Sequence, residues 1–226
     1  SRVRWSQIND AGTWTLGANQ ADFQDIPDAG HITGMVGGEF GVVLMERAIA
    51  RMQYVGSPLI FTFEKVETGH GCNYPNSVAS LGPTQVFYLA DDGFFMFDGQ
   101  RSIPIGAEKV DTFFFDDLKI ANSDRISCTI DPENQIVIWS YPSTESSTGD
   151  PDKMLVFNYA VQRWSLIELE HEFVGSSLTP SFTLEGLDTL NSSLDDLTTS
   201  LDSRFYAGGF LSLSASKDKK LHTLTG

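Results

Sequence analysis

Residues 86–97 read Val-Phe-Tyr-Leu-Ala-Asp-Asp-Gly-Phe-Phe-Met-Phe, two short apolar runs joined by Asp91-Asp92-Gly93. Short apolar runs that are rich in aromatic or β-branched residues and bounded by Asp and Gly are typical of strands. A glycine that follows aspartate supplies the positive φ angle that a tight hairpin turn requires. The stretch therefore predicts a β-hairpin, the clearest one in the chain.

Similar units of strand, turn and strand lie on both sides of this hairpin. On the N-terminal side, Val42–Met45 and Ala48–Met52 flank the turn Glu46-Arg47, and Leu59–Phe63 forms a further strand. On the C-terminal side, the predicted strands are 136–139, 154–157 and 164–169. The polar loop 142–152 between the first two of these is expected to be exposed and mobile.

The spacing of these units predicts the fold class. Val42, Val86 and Ile136 begin corresponding strands and follow one another at intervals of about 40–50 residues, which is typical of propeller blades with four strands each. A single blade leaves its faces bare, whereas blades stacked around an axis cover one another. We predict an all-β fold, a β-propeller or partial propeller of four-stranded antiparallel blades, with residues 1–226 in one domain. The opening residues 2–6 resemble the end of a strand, so we expect the chain to be part of a longer one.

An insertion is expected at residues 180–203, where Leu, Ser, Thr and Asp dominate. Its leucines recur at steps of three or four, which is helical spacing. Ser, Thr and Asn disfavour a helix interior, so a short helix near 183–190 or an irregular segment is predicted. The leucines either pack on the outer face of the same chain or dock a neighbouring subunit. On the second reading the candidate subunit contacts are Leu187, Leu190, Leu194 and Leu197.

Two other segments have predicted roles. Residues 110–121 are predicted to form a connecting helix with Asp111 as its cap. The glycine-rich segment 34–38 lacks a following Lys-Ser/Thr and is predicted to be the turn before the first strand.

Composition restricts the class of partner. The 226 residues carry a formal net charge of −15. Nucleic-acid readers normally present a basic face, so sequence-specific DNA binding is not expected. The acidity predicts either a well-solvated surface or an acidic wall past which DNA moves without adhering. No apolar run is long enough to span a membrane. Cys72 and Cys128 are expected to be buried free thiols.

The sequence has little that indicates catalysis. His31, His70, His171 and His222 are scattered, and no nucleophile elbow, phosphate-binding loop or metal motif occurs. We expect a protein that is not an enzyme and that needs no cofactor or metal. Carboxylates are abundant, so counting them leaves a glycosidase pair open. Glu168, Glu170 and Glu172 alternate and are predicted to face outward on a strand.

The four tryptophans fall into two pairs. Trp139 and Trp164 lie inside apolar strands and are predicted to pack in the core. Trp5 and Trp14 lie in a polar stretch, where they either pack a blade edge or meet a partner. We include both among the candidate subunit contacts.

Several segments together resemble the virion structural proteins of tailed bacteriophages and prophages, which carry Arg-Trp-Ser and Asp-Gly-Phe repeats. The order and spacing of these segments extend over most of the chain, and no single motif is diagnostic. The segments are Arg4-Trp5-Ser6 with Asn9-Asp10, residues 20–26, 37–40, 46–49, 54–61, 87–94, 98–106, 159–164 and 201–204 with Gly208-Gly209.

This resemblance implies a role similar to that of the nozzle or hub proteins of short phage tails. Such proteins build a β-propeller platform in a ring around the DNA channel. The resemblance implies adaptor, portal or tail proteins as partners, a homo-oligomeric ring, a location in the virion tail, and DNA that passes nearby without specific binding. About four blades of sequence are few for a closed wheel of six to eight. A receptor- or glycan-binding propeller module of a phage tail is the alternative function.

Overall fold

A computed structural model describes residues 1–178, 200 and 211–224 of the chain. These residues form five antiparallel sheets and one α-helix, so the predicted all-β class is confirmed. The insertion at 180–203, apart from residue 200, lies outside the described residues. The four candidate contacts Leu187, Leu190, Leu194 and Leu197 lie outside them too.

Sheets 1 and 2 are formed by the first six strands. Sheet 1 pairs β1 (Arg2–Trp5) with β2 (Asp22–Asp25). Sheet 2 is a meander of β3 (Ile32–Val36), β4 (Gly41–Met45), β5 (Ala48–Gly56) and β6 (Ile60–Thr68).

Sheets 3 and 4 repeat the four-stranded meander of sheet 2, and sheet 5 has three described strands. Sheet 3 contains β7 (Ala79–Ser80), β8 (Val86–Leu89), β9 (Phe94–Phe97) and β10 (Ser102–Pro104). Sheet 4 contains β11 (Ser127–Asp131), β12 (Ile136–Tyr141), β13 (Lys153–Asn158) and β14 (Arg163–Glu168). Sheet 5 contains β15 (Phe173–Leu178), β16 (Leu211–Lys217) and β17 (Lys220–Thr223). The predicted four-stranded units therefore occur three times among the described residues.

The hairpin predicted from residues 86–97 is confirmed. Strands β8 and β9 pair in register from Leu89 opposite Phe94 to Val86 opposite Phe97. Gly93 has a φ of +152°, and a Cβ at this position would lie 2.4 Å from the Asp111 carboxylate. The turn therefore requires glycine for its conformation and for the close approach of Asp111.

Three predictions need correction. Segment 34–38 is only partly a turn, because β3 runs through Gly34, Met35 and Val36, and only Gly37 and Gly38 lie in the connection to β4. A Cβ at Gly34 would lie 3.1 Å from Val78, so glycine allows a close approach between neighbouring sheets. Loop 142–152 is only partly exposed, because Pro142, Ser143 and Pro151 are buried. Glu170 and Glu172 are exposed but follow the end of β14 rather than lying on a strand.

The predicted connecting helix is shorter than expected. Helix α1 (Asp111–Asp117) ends where Leu118 turns to extended backbone and bridges to Ser143, and a separate 3-10 helix follows at Ile120–Arg125. Asp111 does not cap its own helix. Its carboxylate instead accepts a hydrogen bond from the Phe94 backbone N–H at 3.2 Å.

The five sheets stack face to face in the order of the chain, and alternation along each strand explains this. In β4, Val43 and Met45 pack towards sheet 1, while Val42 and Leu44 pack towards sheet 3. Phe87 of β8 then packs towards sheet 4. Because successive side chains of a strand point to opposite faces, a continuous apolar strand can fill two interfaces at once.

The sheets lie closest together at their first strands. Strand β11 contacts both β7 and β15, and β3 contacts the short 3-10 helix Pro75–Ser77 that leads into β7. The last strands are more exposed, and every residue of β17 is exposed. The stack is thus tight at one edge, and its outer edge carries the exposed strands and hairpins.

Candidate interaction surfaces

The tryptophans divide as the sequence predicts. Trp139 is fully buried, and Trp164 packs against it with ring centroids 5.6 Å apart. Both indole N–H groups donate to backbone carbonyls at 3.0 Å, that of Trp139 to Ser77 and that of Trp164 to Ile105. These two rings therefore stabilise the interface between sheets 3 and 4.

Trp5 and Trp14 lie at the N-terminal end of the stack. Trp5 is half-buried and packs edge-on against Phe61 of β6, with centroids 5.1 Å apart. Trp14 is 43% exposed, and its indole N–H donates to the Ala11 carbonyl at 2.8 Å. The Arg4 guanidinium lies 6.0 Å from the Trp14 ring centroid. Trp5 thus packs an edge of the fold, and only Trp14 presents substantial surface to a partner.

The end of the β5–β6 hairpin projects beyond its sheet. Strand β4 pairs with β5 only as far as Met52, so among the described strands residues 53–62 pair only with one another. We call residues 53–61 the hairpin tip. Its large apolar side chains are exposed: Tyr54 by 58%, Val55 by 50% and Leu59 by 65%. No charged residue occurs from Met52 to Phe63.

Local packing fixes the shape of this tip. The pairing register shifts between Tyr54 and Gly56, which marks a bulge, and Ile60 adopts a φ of +62°. Positive φ is unfavourable for a β-branched residue and persists where surrounding contacts enforce it. Ile60 is buried, and the Phe61 ring lies against Tyr54, with centroids 5.7 Å apart. The hairpin tip is therefore an apolar projection with a defined backbone conformation.

A second apolar surface lies between sheets 3 and 4. It is a groove of about 260 Å³, which we call the sheet 3–sheet 4 groove. Among the residues that the structure describes, Lys109 is the only charged one in its lining. The other lining residues are Gln85, Met96, Ile103, Pro104, Ile105, Phe157, Tyr159 and Gln162.

An acidic cleft of about 500 Å³ lies between sheets 4 and 5. Loop 142–152, the connection from β14 to β15 and the turn between β16 and β17 form its walls. Its bases are Lys153, Lys217 and the imidazole of His171. Its acids are Glu145, Asp150, Asp152, Glu168, Glu170, Glu172 and Asp218. An excess of carboxylates repels anions, including nucleic-acid phosphates.

The acids of this cleft are either solvated or already bonded. The side chains of Glu145 and Glu170 are about 80% exposed. Asp152 is less exposed but accepts bonds from both the backbone N–H and the hydroxyl of Ser143, each at 2.6 Å. A glycosidase needs a matched pair of carboxylates around the scissile bond. No feature of the described carboxylates in the cleft marks two of them as such a pair.

A buried ion pair supports the wall of the cleft. Lys153 Nζ lies 3.0 Å from Oδ2 and 3.2 Å from Oδ1 of Asp117, and both side chains are nearly buried. The Tyr141 hydroxyl donates to the same carboxylate at 2.9 Å. Burial lowers the pKa of Lys153, but Asp117 outweighs this, so that the net shift is upward. Asp117 is the last residue of α1, and its pairing with Lys153 was not foreseen from the sequence.

His171 is buried, and both nitrogens of its ring have hydrogen-bond partners. Its Nε2 lies 2.5 Å from Ser140 Oγ and its Nδ1 lies 2.6 Å from the Leu169 carbonyl. The carbonyl can only accept, so Nδ1 carries the proton and the Ser140 hydroxyl donates to Nε2. Burial lowers the pKa of His171. Ser140 is fully buried, so this pair fastens sheet 4 to the connection between β14 and β15.

The described part of the chain contains no group of three or more His, Cys, Asp or Glu residues arranged to hold a metal ion. Cys72 is buried, Cys128 is half-buried, and both are free thiols. Burial raises the pKa of the Cys72 thiol. None of the helices in the described segments combines the length and apolarity that crossing a membrane requires.

Comparison with known proteins yields no assignment: no family model matches the chain, and no curated protein is significantly similar to it.

Proposed function

We propose that the chain is a structural component of a phage tail or head–tail junction, a propeller-type module that assembles into a ring around the DNA channel. Its partners in this role are adaptor, portal or tail proteins, and the role requires no catalytic group or cofactor.

The observation that carries the proposal is the face-to-face stack of sheets. Each middle sheet buries apolar side chains on both faces, and the sheets converge at their first strands. Blades around a propeller axis have the same relation. Stiff frames of this kind resist deformation because close-packed interiors have low compressibility.

Charge supports a position beside DNA. A net charge of −15 and an acidic cleft disfavour adhesion of a polyanion, which suits a wall past which DNA must move. The resemblance of the ordered sequence segments to virion proteins supports the same assignment.

Locating the protein in phage particles tests this role. Particles are purified from an induced host and probed with an antibody against this chain, followed by gold labelling and electron microscopy. Label at the tail or the neck is expected. Absence of the protein from purified particles, with abundant protein in the lysate, would contradict the proposal.

A receptor- or glycan-binding module is the second proposal, and the exposed indole of Trp14 is the observation that favours it. Tryptophan is enriched at interfaces because it combines a large apolar body with a polar edge. A glycan array that compares the protein with Trp14→Ala tests it. Binding that the substitution abolishes supports this alternative, and an empty array removes it.

A further inference from the structure

The hairpin tip and the sheet 3–sheet 4 groove have complementary character. One is an apolar projection and the other an apolar depression, and among the described residues that form them Lys109 alone is charged. Tyr54, Val55 and Leu59 remain exposed, so the tip does not occupy the groove of its own chain.

We propose that the hairpin tip of one copy inserts into the sheet 3–sheet 4 groove of a second copy. This inference rests on the proposed ring and supplies its subunit contact. The tip and the groove are different surfaces of the same chain, so the contact is head-to-tail. Head-to-tail contacts generate rings when their rotation closes.

The net charge of the chain favours a second copy as the occupant of the groove. Two copies that each carry a charge of −15 repel one another through most of their surfaces. They can approach without juxtaposing carboxylates only where both surfaces lack acidic groups. The tip and the groove are two such surfaces, and Lys109 at the groove has the opposite sign to the net charge of a second copy.

The volume of the groove is also compatible with this contact. A cavity of about 150 Å³ accommodates a benzene ring. The groove of about 260 Å³ therefore accommodates one large side chain of the tip, Tyr54 or Leu59, together with part of a neighbour. The bulge and the buried Ile60 hold these side chains in place before contact, which lowers the entropic cost of association.

Paired variants of the full-length protein test the contact. The tip variant is Leu59→Asp, and the groove variant is Lys109→Glu with Gln162→Glu; all three positions are exposed, so folding is expected to persist. The control for the tip variant is Ile120→Asp, which adds the same single negative charge at a side chain that is 75% exposed and lies outside both surfaces. Thermal unfolding verifies that each variant is folded, and light scattering after size-exclusion chromatography measures its mass.

We expect each surface variant to weaken self-association by about tenfold or more, as loss of a central contact does, while the control associates like the unmodified protein. A mixture of tip variant and groove variant retains one intact tip and one intact groove. It should yield one-to-one pairs and nothing larger.

The outcomes separate the two proposals. If the unmodified protein forms rings and both surface variants form them equally well, the tip–groove contact is wrong and the proposed ring stands. If the unmodified protein associates through the tip into open chains, the contact stands and the ring fails. If it is a monomer at every concentration, both are overturned.

Discussion

At the residue scale, the Asp111 carboxylate shows how single side chains determine this fold. It lies between Gly93 and Gly106, where added Cβ atoms would lie 2.4 and 1.9 Å from its oxygens, and it accepts the Phe94 N–H. Burial raises the pKa of this carboxyl group. One acid thereby joins the β8–β9 turn to the start of α1.

We expect Gly106→Ala to lower the free energy of unfolding by about 1–3 kcal/mol, because the new methyl group would overlap Asp111 Oδ1. Chemical denaturation measures the change. The matched control is Gly37→Ala, where the added Cβ meets no atom within 4 Å and stability should hardly change. Equal losses in both variants would contradict this account of Asp111.

His171 should make stability depend on pH. Burial places its folded-state pKa below the unfolded value, so the unfolded chain binds the extra proton first. The contribution of neutral His171 to the free energy of unfolding is complete above about pH 6.5, and it is lost as the pH falls from there through the folded-state pKa. His171→Gln should flatten this part of the stability profile, whereas His222→Gln, at an exposed position, should leave it unchanged. An identical profile in all three proteins would show that His171 has no such role.

At the element scale, the strands with apolar runs and Asp-Gly or Glu-Arg turns were predictable, because their pattern is local. Strand β3 was not, because Gly34 lies close in sequence to the real turn at Gly37-Gly38, and the close approach of Val78 explains the glycine at 34 only after folding. The acidic cleft was not predictable either, because residues 145–152 and 217–218 meet only after folding. The charge-free run 52–63 was a visible signal for the exposed hairpin tip.

The link between α1 and β13 gives a prediction at this scale. We expect Asp117→Asn to lower the free energy of unfolding by up to about 3–5 kcal/mol, since it removes the nearer and more buried of the two carboxylates that pair with Lys153 and leaves only the exposed Glu145 at 3.6 Å. The control is Asp150→Asn, which breaks the ion pair between Asp150 and Arg125. This pair is more exposed than the pair of Asp117 and Lys153, so its loss should lower the free energy of unfolding by no more than about 1 kcal/mol. Comparable losses would mean that burial of the Asp117 pair is unimportant.

At the scale of the whole molecule, the account depends on sheets that stack in chain order and on a contact between copies. The sequence predicted the repeated meanders, and the structure adds the order of the apolar layers from sheet 1 to sheet 5. The ring is a proposal that links this stack to the acidic charge and the apolar tip.

Electron microscopy of the purified full-length protein tests this central claim most directly. Class averages should show closed rings with rotational symmetry, an open central channel and fan-like sheets within each subunit. Particles that are single copies throughout, at concentrations where the protein remains folded, would contradict it.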